Sequence, residues 1–321
     1  MKDVSRWADS RLWTGRRLTW DLWYRCNYRC SYCWFEMDKV WDKLAKEHEG
    51  IGVARWIEAW ERLYERCGTI SVDVLGGEPL LYPSGLDLFA GMARWHRLYI
   101  ISNLSASMDF LERLASRIPP ERLHLSASYH HQFARWEEFW DKVLFLAGKG
   151  YHPEVTMVSW PPLLDDIDQK RKILEAAGIR CDIHVFQGIW EGRDYPRSYS
   201  SRERGILGGL VPQDDDRQYR MHEAKTIGRL CAAGHVYANV KANGDVFRCG
   251  KDSMFSKPMG NMFDPEFRLL DAPAPCPYNF CNACGEHVYL WDDWKRVAAD
   301  LRSREIATSL VESSLEEGAA S

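Results

Sequence analysis

The sequence predicts an α/β protein: a partial (β/α)6 barrel, like an incomplete TIM barrel, followed by a small C-terminal β-hairpin and helix. Three observations carry this. Apolar runs of strand length alternate with helical patterns through the first 190 residues. About six such units fill roughly 180 residues, whereas a closed eight-stranded barrel needs about 250. Past Gly188 the alternation stops and a hairpin pattern follows.

Strands are expected at 18–23, 70–75, 98–101, 123–127, 155–158 and 183–186, short and apolar and, taken together, rich in Val, Ile and Tyr. Helices fall between them. Val53, Trp56, Ile57, Trp60, Leu63 and Tyr64 recur at helical spacing. Ser84 to Trp95 gives a weaker pattern, and Phe110, Leu111, Leu114 and Ala115 a clearer one. Trp136, Phe139, Trp140, Val143 and Leu144 end at Gly148; Ile167, Ile173, Leu174 and Ala177 end at Gly178, a C-cap residue. This alternation implies a parallel sheet with helical crossovers. The stretch 191–218 is polar, with Gly208-Gly209 and the acidic run Asp214-Asp215-Asp216, and reads as loop. Residues 236–241 and 245–248 around Asn243-Gly244 read as a hairpin. The expected division is an N-terminal extension over 1–16, the barrel over 17–190, a linker over 191–230, the hairpin domain over 231–295 and a C-terminal helix and tail over 296–321.

The 321 residues carry 42 basic and 46 acidic side chains, a net charge of −4. That balance excludes a nucleic-acid binder driven by bulk charge, and the 45% hydrophobic share excludes a disordered chain. No apolar run approaches spanning length, and the first ten residues lack a signal core, so no membrane association and a cytoplasmic location are expected.

Ten cysteines in such a chain point to metal or redox chemistry rather than disulfides. Cys67 and Cys181 stand alone and read as core. Cys26, Cys30 and Cys33 fall on one loop directly after the first strand. Three thiolates there can ligate three irons of a four-iron cluster and leave one iron open. A structural zinc site takes four ligands, typically in paired short spacings. Cys231, Cys249, Cys276, Cys281 and Cys284 form a late group, for which zinc is a stronger competitor.

The spacing of Cys26, Cys30 and Cys33, with aromatic Tyr32 before the third cysteine, resembles the signature of the radical S-adenosylmethionine (SAM) superfamily. The resemblance extends to Gly76, Gly77, Glu78 and Pro79 after the second strand, similar to the motif that holds the SAM amino group. Glycines there allow close backbone approach, and a carboxylate suits an ammonium. Ser102 and Asn103 after the third strand, and Ser126 after the fourth, sit where the family places ribose and carboxylate contacts. The late cysteines around the hairpin resemble the shortened auxiliary-cluster ("twitch", SPASM-like) domain of such enzymes. There Cys231, Cys249, Cys281 and Cys284 would hold a second cluster and Cys276 would be surplus. The likeness covers about 17–286.

The resemblance implies an enzyme with SAM and two [4Fe-4S] clusters, supplied with electrons by a donor such as flavodoxin or ferredoxin. Reductive SAM cleavage would give a 5′-deoxyadenosyl radical that takes a hydrogen atom from the substrate. The substrate is expected to be a small polar molecule undergoing oxidation or rearrangement; only 25 residues precede Cys26, and peptide-modifying members often carry a longer recognition domain there. A peptide is the alternative, and a non-catalytic iron–sulfur or zinc scaffold is a third reading that the intact glycine motif disfavours. His130, His131, His184 and Glu191 are candidate general bases near predicted strand ends. Trp160 and Trp190 are candidate stacking residues.

Overall fold

The protein is described here from a computed structural model covering residues 15–46, 51–208, 226–281, 289–292, 294–296 and 298–299. Cys284, the acidic run 214–216 and the expected tail beyond 300 lie outside the described residues.

The core is the expected parallel sheet. Strands β1 (Arg17–Trp23), β2 (Ser71–Gly76), β3 (Arg97–Ser102), β4 (Leu123–Tyr129), β5 (Glu154–Val158) and β6 (Cys181–His184) lie in sequence order, each parallel to the next. Helices α1 (Trp34–Met37) and α2 (Trp41–Ala45) follow β1. The crossovers are α3 (Val53–Cys67), α4 (Gly85–Met92), α5 (Met108–Arg117), α6 (Trp136–Gly148) and α7 (Leu164–Ala176). α3 buries Trp56, Ala59, Trp60 and Leu63, the i, i+3, i+4, i+7 stripe that seats a helix on a sheet, and Gly68 (φ 73°) ends it. Trp20 of β1 meets Trp56 and Trp60 at ring distances of 4.6 and 5.3 Å. Alternation therefore turns Leu18, Trp20 and Leu22 toward the helices and Arg17, Thr19 and Asp21 toward the opposite, inner face.

Two expectations need correction. The last strand runs over Cys181–His184 rather than 183–186. Its ladder with β5 closes at Val158 and His184, and the Phe186 N–H goes instead to Ser159 Oγ at 2.9 Å. The polar stretch after Gly188 is not all loop. It contains the antiparallel pair β7 (Gly188–Trp190) and β8 (Arg193–Tyr195), and helix α8 (Ser201–Ile206) opened by a capping box between Ser200 and Glu203.

The late hairpin is not detached from the barrel. After β9 (Leu230–Cys231), strand β10 (Tyr237–Val240) pairs parallel with β1, from Arg17 opposite Tyr237 to Trp20 opposite Val240. β11 (Asp245–Phe247) and β12 (Gly260–Asn261) continue the sheet antiparallel, with α9 (Asp252–Phe255) between them. Among the described residues the sheet order is β12-β11-β10-β1-β2-β3-β4-β5-β6. β13 (Ala274–Pro275) pairs with β9 apart from this sheet. No helix among the described residues is long and apolar enough to cross a membrane.

Candidate active site

The ends of β1, β2 and β3 converge on the first cysteine loop. β2 ends at Gly76 (φ 126°), a conformation side chains rarely adopt. A Cβ on Gly76 would strike the Trp23 carbonyl, and one on Gly77 the Arg25 backbone. The glycines thus let β2 lie directly against the segment entering Cys26. Gly77 N donates to Trp23 O at 2.7 Å and Glu78 N to Arg25 O at 2.8 Å. Trp23 Nε1 returns a bond to Glu78 O at 2.8 Å.

Glu78 is 1% exposed. Its Oε1 accepts from Ser102 Oγ at 2.6 Å and Leu80 N at 3.0 Å, and its Oε2 from Asn103 N at 2.6 Å. Burial outweighs these donors and pushes its pKa up to about 7. Pro79 opens the short turn Pro79–Leu81 that Glu78 caps. Asn103 reaches onward: its Nδ2 lies 3.0 Å from Asn27 Oδ1 and 3.7 Å from Cys26 Sγ. Glu78, Ser102, Asn103 and the cysteine loop therefore form one connected group. Asn27, which also accepts from Ser105 Oγ at 3.2 Å, is a member that sequence reading missed; nothing in its local pattern marks it.

Cys30 is buried, and Cys26 and Cys33 are half-buried. Desolvation pushes Cys26 up to about 11 and Cys30 to about 12, and raises Cys33. The Cys33 charge also raises Cys26 and Cys30, and the Cys26 charge raises Cys30, so ionising all three calls for compensating positive charge. Iron would supply that charge. The loop already offers the hydrogen bonds that coordinated sulfur takes: Tyr28 N points at Cys26 Sγ at 3.3 Å, and the Phe35 and Glu36 amides point at Cys33. Among the described residues no three His, Cys, Asp or Glu side chains converge on one point as a single metal ion requires. A multi-iron cluster takes one thiolate per iron and does not ask this. The loop fits such a cluster.

The remaining expected residues are distributed unequally. Tyr32 packs under the loop, its hydroxyl 3.1 Å from His130 Nδ1 and its ring 5.4 Å from Trp160. Burial lowers His130 to about 4, so the imidazole is neutral near neutral pH. Gln132, another member missed in the sequence, bonds Ser31 through its side-chain oxygen (2.9 Å) and nitrogen (2.6 Å). Ser126 lies within β4 rather than after it, because β4 continues to Tyr129 in its pairing with β5; its hydroxyl is 3.2 Å from Thr156 Oγ1. His131 is buried 3.7 Å from Asp166. His184 is 64% exposed along its side chain, and Glu191 stands on the exposed turn between β7 and β8. Trp160 is 4% exposed, wedged against Phe186 and Trp190 at 4.9 and 4.5 Å, so its ring serves packing.

The late hairpin braces the cysteine loop from the other side. Its tip residue Ala242, fully buried, packs with Tyr24, Phe35 and Trp41. Lys241 Nζ pairs with Asp21 Oδ2 at 2.7 Å. Arg29 lies over Trp41 at 4.5 Å and donates to Cys26 O at 2.7 Å. Cys231 and Cys249 pack against one small cluster that includes Tyr237, Tyr289 and Trp294. Asp252 N points at Cys249 Sγ at 3.4 Å. Cys281 is half-buried. Cys276 donates toward Thr226 Oγ1 at 3.5 Å and Tyr278 O at 3.8 Å.

The parallel half-barrel thus carries one buried and two half-buried cysteines on the loop after its first strand, with a glycine-glycine-glutamate turn beside them. Residues 21–131 match the model of the Radical SAM superfamily. Solved structures agree in fold. SuiB of Streptococcus suis aligns at TM-score 0.54 and 15% identity, over 77% of this chain and 63% of that one. The same protein bound to precursor peptide SuiA aligns at 0.54 and 14%, over 77% and 62%. anSMEcpe with bound AdoMet aligns at 0.54 and 13%, over 77% and 78%. The chain thus spans under two thirds of SuiB, and at these identities the likeness is one of fold. No curated protein matches the chain in sequence.

Proposed function

We propose that the protein binds a [4Fe-4S] cluster through Cys26, Cys30 and Cys33 and uses it with SAM to act on a small polar substrate. The observation that carries this is the joining of Gly76, Gly77, Glu78, Ser102 and Asn103 to the cysteine loop in one hydrogen-bonded group. When bound, the cluster and SAM would supply reductive cleavage to methionine and a 5′-deoxyadenosyl radical able to abstract hydrogen. The chain's own residues hold the loop, exclude water and present a carboxylate. Glu78, pushed up to about 7 by burial, gains its counter-charge when an ammonium arrives, which favours the ionised form. Neutral His130 holds the Tyr32 hydroxyl and keeps the ring under the loop.

A second [4Fe-4S] cluster on Cys231, Cys249, Cys281 and Cys284, passing an electron from or to the substrate, completes the proposal. The Asp252 amide directed at Cys249 supports it. Cys276 already has oxygen partners, which suits a spare thiol. A flavodoxin or ferredoxin would serve as donor. A peptide substrate is the second reading, favoured by the peptide complexes among the matched folds. Anaerobic, dithionite-reduced protein should release 5′-deoxyadenosine from SAM, and replacing Cys26, Cys30 and Cys33 together with alanine should stop it. Continued cleavage in that variant would overturn the reading.

A further inference from the structure

The cysteine loop is held at its midpoint by one side chain from another part of the barrel. Cys33 N donates to Cys30 O at 2.9 Å, closing a four-residue turn that carries two of the three thiols. The peptide joining Cys30 to Ser31 is planar and trans, so its carbonyl and its N–H point in opposite directions. The carbonyl takes the turn bond, and the N–H goes to Gln132 Oε1 at 2.9 Å. Gln132 Nε2 donates to Ser31 Oγ at 2.6 Å, so one amide meets a single residue through both of its ends. The Ser31 N–H can only donate, which fixes the amide with its oxygen toward the backbone.

The segment that presents Gln132 is itself anchored. Phe133 N and Ala134 N both donate to His130 O, at 3.0 and 2.9 Å, which coils residues 130–134 into a turn after β4. The His131 side chain is 1% exposed and meets the Tyr129 ring edge-on at 4.9 Å. From this turn His130 reaches the Tyr32 hydroxyl, and Phe133 stacks on Tyr28 at 5.1 Å. Of the three contacts that the turn makes with the cysteine loop, only that of Gln132 grips backbone between Cys30 and Cys33.

We infer that Gln132 is a positioning residue for the cluster: it locks the Cys30–Ser31 peptide and so sets how the Cys30 and Cys33 thiolates stand to one another. This rests on the proposed cluster at Cys26, Cys30 and Cys33 and goes beyond it by giving a role to the turn after β4. Gln132 and Ser31 are both exposed, so their bonds add little to the stability of the whole fold and act locally. A neutral amide does this without setting a negative charge beside three thiolates.

The test uses the full-length reconstituted protein and reads the SAM-responsive paramagnetic signal, to which a second, fully ligated cluster does not contribute. Gln132→Leu, similar in size but without either bond, should lose that signal to an iron chelator about fivefold faster than the wild type. Gln132→Glu keeps two acceptors for the Ser31 N–H and O–H and should restore the wild-type rate, while its added charge lowers the midpoint potential of the first cluster. Ser31→Ala keeps the N–H and loses the hydroxyl, and its rate should fall between those of the wild type and Gln132→Leu. Equal rates in the wild type, Gln132→Leu and Ser31→Ala, or a Gln132→Glu variant as fast as Gln132→Leu, would overturn the inference and leave the cluster standing. A wild type without any SAM-responsive signal would sink the cluster reading and this inference together.

Discussion

Replacing Gly77 by alanine tests the join between the second strand and the cysteine loop. The added Cβ would land on the Arg25 backbone rather than on the end of a flexible side chain, so one segment must move. Moving it breaks the bonds from Gly77 N to Trp23 O, from Glu78 N to Arg25 O and from Trp23 Nε1 to Glu78 O. At about 1 kcal/mol each, with about 1–3 kcal/mol for overpacking, the cost is about 4–6 kcal/mol. That is a large share of a folded protein's usual margin of about 5–15 kcal/mol. Guanidinium unfolding of the anaerobic protein should show the loss. Iron analysis should show the first site depleted even in molecules that remain folded, because Arg25 adjoins Cys26. A variant with wild-type unfolding midpoint and full iron would refute the reasoning.

Other outcomes follow from the same contacts. His96 is fully buried, bonded to Ile70 N and Trp60 O, and burial pushes it down to about 4. Since the unfolded value is near 6.5, the unfolded chain takes up the proton first; stability should fall as pH drops from about 6.5 to 4, by up to about 3 kcal/mol, and His96→Gln should flatten that slope in urea unfolding. Ala242→Leu should overpack the contact with Tyr24, Phe35 and Trp41, cost about 1–3 kcal/mol by thermal unfolding and lower iron retention at the adjoining first loop. Cys276→Ala should leave the absorption spectrum of the second cluster unchanged, whereas Cys249→Ala should degrade it.

The sequence made much of this legible, for physical reasons. Strands β1 to β3 announced themselves because alternate residues, Leu18, Trp20 and Leu22, then Val72 and Val74, then Leu98 and Ile100, are apolar and fully buried. The three cysteines and the glycine turn were visible because their close spacing stands out in the sequence, and the turn needs glycine where a Cβ would strike the Trp23 and Arg25 backbone. The Ser200–Glu203 capping box was present in the sequence and outweighed there by surrounding polarity. The pairing of β10 with β1 was not readable: residues 17 and 237 meet through register across the whole barrel, which no local pattern encodes. The bond between Tyr32 and His130 was hidden likewise, since His130 read as a base and the structure gives it a ring to hold.

Electron paramagnetic resonance of the reduced protein with and without SAM tests the central claim most directly. A cluster on Cys26, Cys30 and Cys33 with an open iron should change its spectrum when SAM is added, in the wild type and in Cys249→Ala, and the change should vanish in Cys30→Ala. A reduced spectrum indifferent to SAM in the wild type, or a SAM response that persists in Cys30→Ala, would contradict the account.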